Sequence, residues 1–280
     1  MKINSALDKL KLAKPVYYST VSNFNYKTGL KMAKTDTEII RLDLEHGPFD
    51  MGGVKSFIDG LIAGGPTKFG YRTPCLIAEL PIDGSSNTAM VSNSWMIKQI
   101  LAQGVHGLIL CHASSKQAVK TFIKNSFYSF ENLKGVGKGL RGNGAQKRCA
   151  YVWGISEQEY LEKASIWPQN ENGELMLGVK IENPMAAKNC GDILKIKGLS
   201  FAEWGPGDMT MSLGYKDSYY PPYPKKVVKL MVKIRKEILK NKLFFLNLAM
   251  EHDVKKIIDT GAMIIKPNTK KVIKLGRRYK

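Results

Sequence analysis

Eight short apolar runs rich in β-branched residues recur along the sequence, and segments with helical spacing lie between most of them. The runs predict strands at 16–22, 39–46, 75–81, 107–113, 176–183, 199–206, 243–249 and 262–267. The clearest helical segments are 91–103, 116–128, 184–194 and 225–240. Alternation of strand and helix predicts parallel strands joined by right-handed crossovers. Eight such units in 280 residues predict one α/β domain over 1–280, a (β/α)8 TIM-type barrel. A doubly wound open sheet is the alternative, but no GxGxxG motif follows an early strand.

One segment departs from this alternation. Residues 131–146 are rich in glycine and basic residues, and they lead into 151–168, which has a helix-like middle. A minimal connection is much shorter. We therefore predict a long Gly-rich inserted region at about 129–168, after the fourth unit. It could form part of the active site or of a subunit contact, or it could be a plain surface loop.

Charge and cysteine usage restrict the class of protein. The net charge is +19, but the excess is mostly lysine spread along the chain, with no Arg-rich arm. This pattern indicates a solvated surface rather than nucleic-acid binding, and it can steer an anionic substrate. The four cysteines show no CxxC spacing, which argues against a disulfide framework or a zinc cluster. Without a long apolar run or a signal-peptide pattern, we expect a cytoplasmic protein with no membrane partner.

Ionisable residues mark the ends of five predicted strands, where a barrel of this type carries its active site. They are Asp43, Glu45, His46, Glu79, His112, Lys180, Glu182, Glu203 and Asp208. Buried charges are costly unless they are paired or bound to a metal, so this concentration predicts a functional site. Lys180 and Glu182 are two residues apart and therefore share one face of their strand.

Glu182 and Asp208 are the predicted metal ligands. Two carboxylates at the ends of consecutive strands suit Mg²⁺ or Mn²⁺, with water and substrate oxygens completing the octahedron. Gly205, Pro206 and Gly207 form a tight turn before Asp208 that lets the backbone approach a ligand. The alternative is that Asp208 caps a short helix at 209–213.

His46 is the predicted acid/base, because the pKa of histidine is easily placed near neutrality. Asp43 or Glu45 could orient it, and the choice is open because strand alternation puts both on the face opposite His46. A structural role for a single histidine at a strand end is the alternative. His112 lies on a predicted strand facing the same rim.

Three motifs together resemble a known family. The D-L-E-H run at 43–46, the V-K-I-E-N run that contains Glu182, and G-P-G-D-M-T-M-S-L-G at 205–214 resemble the HpcH/HpaI aldolases. These are class II, metal-dependent pyruvate-type aldolases that act on 4-hydroxy-2-oxo acids, and the resemblance runs from the second strand onward. It implies a (β/α)8 barrel that forms a homo-oligomer, often a hexamer or trimer of dimers.

The resemblance also implies roles for individual residues. A divalent metal (Mg²⁺ or Mn²⁺, with Co²⁺ as a further possibility) would be held by Glu182 and Asp208 and would bind the 2-oxo acid. His46 would act as acid/base through water, and the backbone from Gly205 to Asp208 would help to bind the substrate carboxylate. We place Pro206, Gly207 and His112 in the same substrate-binding set.

Two departures from the family pattern concern charge. Glu79 stands where the family usually has an arginine that stabilises the enolate oxygen, and Lys180 stands where it often has glutamine. We hypothesise a charge swap in which Lys180 supplies the positive group and Glu79 orients it or acts as an acid/base. The predicted catalytic set is therefore His46, Lys180, Glu79 and Asp43.

The resulting prediction is a metal-dependent carbon–carbon lyase. It would cleave a 4-hydroxy-2-oxo acid into pyruvate, or a related 2-oxo acid, and an aldehyde through a metal-stabilised enolate. Two alternatives stay open: a lyase on an acyl-CoA ester of the citrate-lyase type, and a degenerate protein that binds a metal and a 2-oxo acid without aldolase activity.

Overall fold

Eight parallel strands close into a barrel in the computed structural model, which describes residues 2–217 and 220–280. The barrel strands are β1 (Val16–Val21), β2 (Ile39–Asp43), β3 (Cys75–Asp83), β4 (Gly107–Cys111), β8 (Leu175–Lys180), β9 (Phe201–Glu203), β10 (Phe244–Ala249) and β11 (Ala262–Pro267). They follow the order β4-β3-β2-β1-β11-β10-β9-β8, and pairing of β4 with β8 closes the ring. The predicted (β/α)8 barrel is confirmed.

Three further short strands lie between β4 and β8. Two of them, β5 (Asn132–Leu133) and β6 (Gly137–Lys138), form an antiparallel hairpin. The third, β7 (Ile166–Trp167), pairs with the first residues of β8.

Helices surround the barrel in the described part of the chain. They are α1 (Ser5–Lys11), α2 (Tyr26–Met32), α3 (Met51–Ala63), α4 (Asn87–Ser92), α5 (Ser94–Leu101), α6 (Lys116–Ser126), α7 (Gln146–Trp153), α8 (Glu157–Lys163), α9 (Pro184–Ile193), α10 (Pro206–Ser212), α11 (Lys225–Lys240), α12 (Val254–Asp259) and α13 (Lys270–Tyr279). The helix predicted at 91–103 is instead divided into α4 and α5. Asn93 lies at this break, where its side-chain amide donates to the Ala89 carbonyl. No helix within 2–217 and 220–280 is long and apolar enough to cross a membrane.

The segment 129–168 lies toward the N-terminal ends of the strands. The β7 strand pairs with the start of β8, and the Trp153 indole donates to the Gly104 carbonyl just before β4. Arg141 is buried there and donates to the Tyr160 hydroxyl. The segment thus contains a hairpin and two helices at the end of the barrel opposite the strand C-termini. Its status as a Gly-rich insertion remains a prediction.

The barrel interior changes from apolar to charged along its axis. At the N-terminal end, Ala6, Leu7 and Leu10 of α1 close the barrel against the first inward-facing residues of the strands. One step further along, strand alternation gives a second inward layer. Its members are Tyr18, Arg41, Glu79, Cys111, Lys180, Glu203, Leu248 and Lys266. Five of these eight carry charge, so the fold concentrates ionisable groups at the C-terminal half of the barrel.

Candidate active site

Lys180 lies at the centre of a buried ionic network. Its ammonium is 2.6 Å from Glu45 Oε2, in direct contact with Glu79 Oε1, and 3.9 Å from Glu182 Oε2. Its side chain is only 6 % exposed. Burial by itself would lower the pKa of Lys180, but the attraction of neighbours that include Glu79 and Glu182 raises that pKa above its ordinary value. The side chain is therefore a fixed positive charge that faces the acidic groups.

Arg41 joins the network from β2, the strand that pairs with the Glu79 strand β3. Its guanidinium lies 3.2 Å from Glu79 Oε1 and 3.8 Å from Glu203 Oε2, and it packs over the Tyr18 ring at 5.1 Å. Glu79 thus stands between two cations, Arg41 and Lys180. The structure thus brings together Lys180 and Glu79, the two residues of the predicted charge swap. It adds Arg41, which the motif comparison did not include.

Glu182 is buried next to the ionic network. One carboxylate oxygen, Oε1, accepts a hydrogen bond of 2.6 Å from the backbone N–H of His112. Burial raises the pKa of Glu182 to about 8, although Lys180 and the His112 N–H act in the opposite direction. A nearby cation would stabilise the ionised form of this carboxylate and so lower its pKa.

Gly205 packs directly against Glu182. A Cβ at position 205 would overlap both the Glu182 carboxylate and its Cβ, so only glycine fits there. This close approach of the turn restricts the Glu182 side chain, which the His112 N–H also holds through its hydrogen bond to Oε1. The glycine at position 205 of the predicted turn is therefore explained by the space that Glu182 needs.

His46 occupies the outer rim, with 66 % of its side chain exposed. Its Nδ1 atom is 3.5 Å from Asp43 Oδ1 and 3.6 Å from Glu45 Oε2, and its backbone N–H donates to Asp43 Oδ1 at 2.9 Å. The turn that follows β2 brings His46 within reach of both acids, so strand alternation does not separate them. Either carboxylate can orient the imidazole.

His112 is held between two acids just after β4. Its Nε2 atom is 3.7 Å from Glu45 Oε1 and its Nδ1 atom is 3.7 Å from Glu182 Oε1. The residue adopts a positive φ of 48°, uncommon for a residue other than glycine. That backbone conformation accompanies the hydrogen bond from the His112 N–H to Glu182.

Asp208 lies in the first turn of α10 and not at its N-cap. The helix starts at Pro206, and its N-cap residue is Gly205. The alternative of a helix capped by Asp208 is therefore wrong, because the helix begins before that residue. Asp208 is partly exposed and lines the same cavity as Glu182.

A cavity of about 300 Å³ opens at the C-terminal end of the barrel. Its lining residues are Arg41, His46, Lys180, Glu182, Glu203, Trp204, Gly205, Pro206, Gly207, Asp208, Met211, Tyr220, Asn247, Leu248 and Lys266. Most of the predicted site residues thus line this cavity, whereas Asp43, Glu79 and His112 adjoin it through their ionic contacts. The volume is at the lower end of the range for small-molecule sites.

Among residues 2–217 and 220–280, three groups of side chains have metal-ligand atoms within 4.8 Å of one another: Asp43–His46–Glu79, Glu45–Glu79–Cys111 and Glu45–His112–Glu182. Glu182 belongs to the last of these groups, whereas the other predicted ligand, Asp208, lines the same cavity but is in none of them. Carboxylate oxygens are the ligands that Mg²⁺ and Mn²⁺ prefer. The donor set fits a hard divalent cation.

Arg41 and Lys266 are the charged residues among the described cavity lining that sequence reasoning missed. Each interrupts an apolar strand, in the runs I-I-R-L-D and M-I-I-K-P. This is the same signal that identified Lys180, and applying it to every strand would have found both.

The fold and the cavity define a (β/α)8 barrel with a charged site at the strand C-termini that includes potential metal ligands. No protein-family model matches the chain. A 2-keto-3-deoxy-L-rhamnonate aldolase from Klebsiella pneumoniae subsp. pneumoniae is 27 % identical over 141 residues, which are 50 % of this chain and 47 % of that relative. The matched part of the chain thus spans about half the length of the curated relatives.

Solved structures agree over nearly the whole chain. An HpcH/HpaI aldolase/citrate lyase family protein from Burkholderia cenocepacia superposes with a TM-score of 0.73 at 17 % identity, over 98 % of this chain and 96 % of that one. The citrate synthase SbnG gives a TM-score of 0.70 at 19 % identity, over 98 % and 94 % of the two chains. The resemblance to the HpcH/HpaI aldolases that the motifs predicted is confirmed.

Proposed function

We propose that this protein is a metal-dependent carbon–carbon lyase of the aldolase type that cleaves a 4-hydroxy-2-oxo acid into pyruvate, or a related 2-oxo acid, and an aldehyde. The observation that carries the proposal is the placement of Glu182. This carboxylate is buried, is held by the His112 N–H and by the bare backbone of Gly205, and lines the same cavity as Asp208. The similarity to a 2-keto-3-deoxy-L-rhamnonate aldolase supports the same reaction class.

The donor atoms around Glu182 suit Mg²⁺ or Mn²⁺ better than a soft metal. Glu182 and Asp208 contribute carboxylate oxygens, and Glu45 and His112 are close enough to Glu182 to complete a set. When bound, a divalent cation would polarise the 2-oxo group of the substrate. Co²⁺ is the next metal to test.

The residues of the chain would move the protons of the reaction. His46, oriented by Asp43 or Glu45, accepts the proton of the substrate 4-hydroxyl through water. The bond between C3 and C4 then breaks, its electron pair stays on the 2-oxo acid fragment, and the aldehyde leaves. Protonation of C3 completes the release of the 2-oxo acid.

Lys180 would stabilise the negative charge that develops on the 2-oxo acid fragment. Its ammonium is fixed by Glu45 and Glu79, so it needs no reorganisation during the reaction. In this scheme Glu79 positions the ammonium, as the charge-swap hypothesis requires. The support is the direct Lys180–Glu79 contact.

The proposal is tested by metal analysis of anaerobically purified protein together with exchange of the pyruvate methyl protons into D₂O, followed by NMR. We expect a bound divalent metal and exchange that depends on it. If Mg²⁺, Mn²⁺ or Co²⁺ binds but none of them supports exchange, the proposed lyase activity is rejected, and the alternative of a non-catalytic binding protein is favoured. A Glu182→Gln variant should lose both metal and exchange, whereas Glu131→Gln, which is remote from the cavity, should keep both.

A second candidate is a lyase on an acyl-CoA ester. The observation in its favour is an apolar groove of about 520 Å³ that shares Trp204, Asn247 and Leu248 with the cavity and carries Arg235 and Lys256. Such a groove has room for an extended acyl carrier. Inhibition of pyruvate exchange by coenzyme A at micromolar concentration would favour this candidate, and no effect at millimolar concentration would exclude it.

A further inference from the structure

Lys266 lines the cavity from the end of β11 and has no counter-ion among residues 2–217 and 220–280. Its side chain is partly buried and makes no hydrogen bond or ion pair there. The lysine at position 180, by comparison, contacts three carboxylates. A partly buried ammonium that makes no hydrogen bond or ion pair is unfavourable, so its presence in the cavity calls for an explanation.

The charged neighbour with the largest effect on the pKa of Lys266 is another cation, Arg41. Burial lowers the pKa of Lys266, and repulsion from Arg41 lowers it further, while Glu203 and Glu79 act in the opposite direction. Arg41 itself has an unused donor, because its buried Nε–H has no hydrogen-bond partner. Two cations with spare donors thus share one cavity wall.

The barrel order places this wall across from Glu182. Arg41 on β2 and Lys266 on β11 flank β1 on its two sides. In the closed ring β1 is four strands from β8 in either direction, so β8 with Lys180 and Glu182 stands diametrically opposite. A ligand held at Glu182 by one end would reach the Arg41–Lys266 wall with its other end.

We propose that Lys266, together with Arg41, binds a second carboxylate of the substrate, so that the 2-oxo acid released or accepted by this protein is a dicarboxylate. This inference rests on the proposed function, because it takes the Glu182 side of the cavity as the site of the 2-oxo acid group. A carboxylate between the two side chains would supply the missing counter-ion of Lys266 and an acceptor for the Arg41 Nε–H. It would also favour the charged form of Lys266.

The test is calorimetric binding to the Mn²⁺-loaded protein with matched ligand pairs. 2-Oxoglutarate is compared with 2-oxopentanoate, and 2-oxoadipate with 2-oxohexanoate, so that only the terminal group changes from carboxylate to methyl at each length. We expect at least one dicarboxylate to bind about 10-fold or more tightly than its methyl-terminated match, the range of one charge-assisted contact.

The Lys266→Gln variant should lose this preference while its affinity for the methyl-terminated ligands stays unchanged. Lys266→Arg should retain it. Lys274→Gln, which removes an exposed lysine from α13, controls for the general attraction of a chain of net charge +19. The subsite would be overturned by equal binding within both ligand pairs, or by a preference that survives in Lys266→Gln.

Pyruvate methyl-proton exchange separates this inference from the proposed function, because pyruvate has no second carboxylate. Normal exchange with no dicarboxylate preference would reject the subsite and keep the lyase. A dicarboxylate preference without exchange would reject the lyase and keep the subsite.

Discussion

Lys180 and Glu79 form a direct ion pair inside the barrel, and the Glu79 oxygen that contacts Lys180 also accepts from Arg41 at 3.2 Å. Glu79 is fully buried, and its two cationic neighbours are 6 % and 12 % exposed. This carboxylate therefore links two positive charges that water hardly reaches, and each of the two cations has a further acidic neighbour, Glu45 for Lys180 and Glu203 for Arg41. Breaking a buried ionic group by removing one partner is far more destabilising than replacing the whole group with apolar residues.

Glu79→Gln should consequently lower the free energy of unfolding by about 3–5 kcal/mol, because Arg41 and Lys180 would repel each other without the intervening charge. Chemical denaturation followed by circular dichroism measures the change. Asp192→Asn is the matched control, since that carboxylate pairs with the exposed Lys195 and its replacement should change stability far less. An equally small effect for Glu79→Gln would show that the network is not a stabilising unit.

The charge swap makes a separate prediction about catalysis. The double variant Lys180→Gln/Glu79→Arg installs the residues that the resembling family usually carries. We expect its pyruvate methyl-proton exchange to fall about 10²- to 10³-fold, as on loss of one preorganised donor, because the new guanidinium would lie beside Arg41. Lys180→Arg keeps a cation in place and should lose less. Undiminished exchange in the double variant would contradict the hypothesis.

Strand periodicity predicted all eight barrel strands, because each apolar run is long enough to be buried on both faces and is separated from the next by a polar segment. The same periodicity put Lys180 and Glu182 on one inward face. It could not pair His46 with Asp43 and Glu45, because β2 ends at Asp43 and the following turn is outside the alternation.

The sequence also could not predict which residues form ion pairs within the network. Arg41 and Glu79 meet because β2 and β3 pair in the register that puts Asp43 beside Glu79, and spacing along the chain does not give that register. Lys266 lies more than 80 residues from Lys180, yet the closed ring brings both to one cavity. The directions in which these long side chains extend depend on tertiary packing, which the sequence pattern does not give.

Because Gly205 has no Cβ, a substitution there should have a specific effect on metal affinity. In Gly205→Ala the new methyl would overlap Glu182 and displace its carboxylate, so Mn²⁺ affinity should fall about 10- to 100-fold, as on loss of support for a ligand. Titration followed by electron paramagnetic resonance measures the free Mn²⁺. Gly142→Ala is the matched control, because a Cβ there meets nothing within 4 Å. Unchanged affinity in Gly205→Ala would remove Glu182 from the metal site.

His106 predicts how stability depends on pH. The residue is buried just before β4, where its Nδ1 accepts from the Leu76 N–H at 3.1 Å and its ring stacks on Trp153 at 5.2 Å. Burial lowers its pKa to about 3, below the value of about 6.5 in an unfolded chain. The unfolded state therefore binds the extra proton first, so this contribution to stability is complete above pH 6.5 and declines as the pH falls towards 3.

Between pH 7 and pH 5 this single group should lower the free energy of unfolding by about 2 kcal/mol. Chemical denaturation at the two pH values measures the difference, and His106→Gln should reduce it by about that amount even if the variant is less stable overall. His252→Gln is the control, since its side chain is 80 % exposed and its replacement should leave the difference unchanged. An equal pH dependence in wild type and His106→Gln would show that His106 is not kept neutral by the fold.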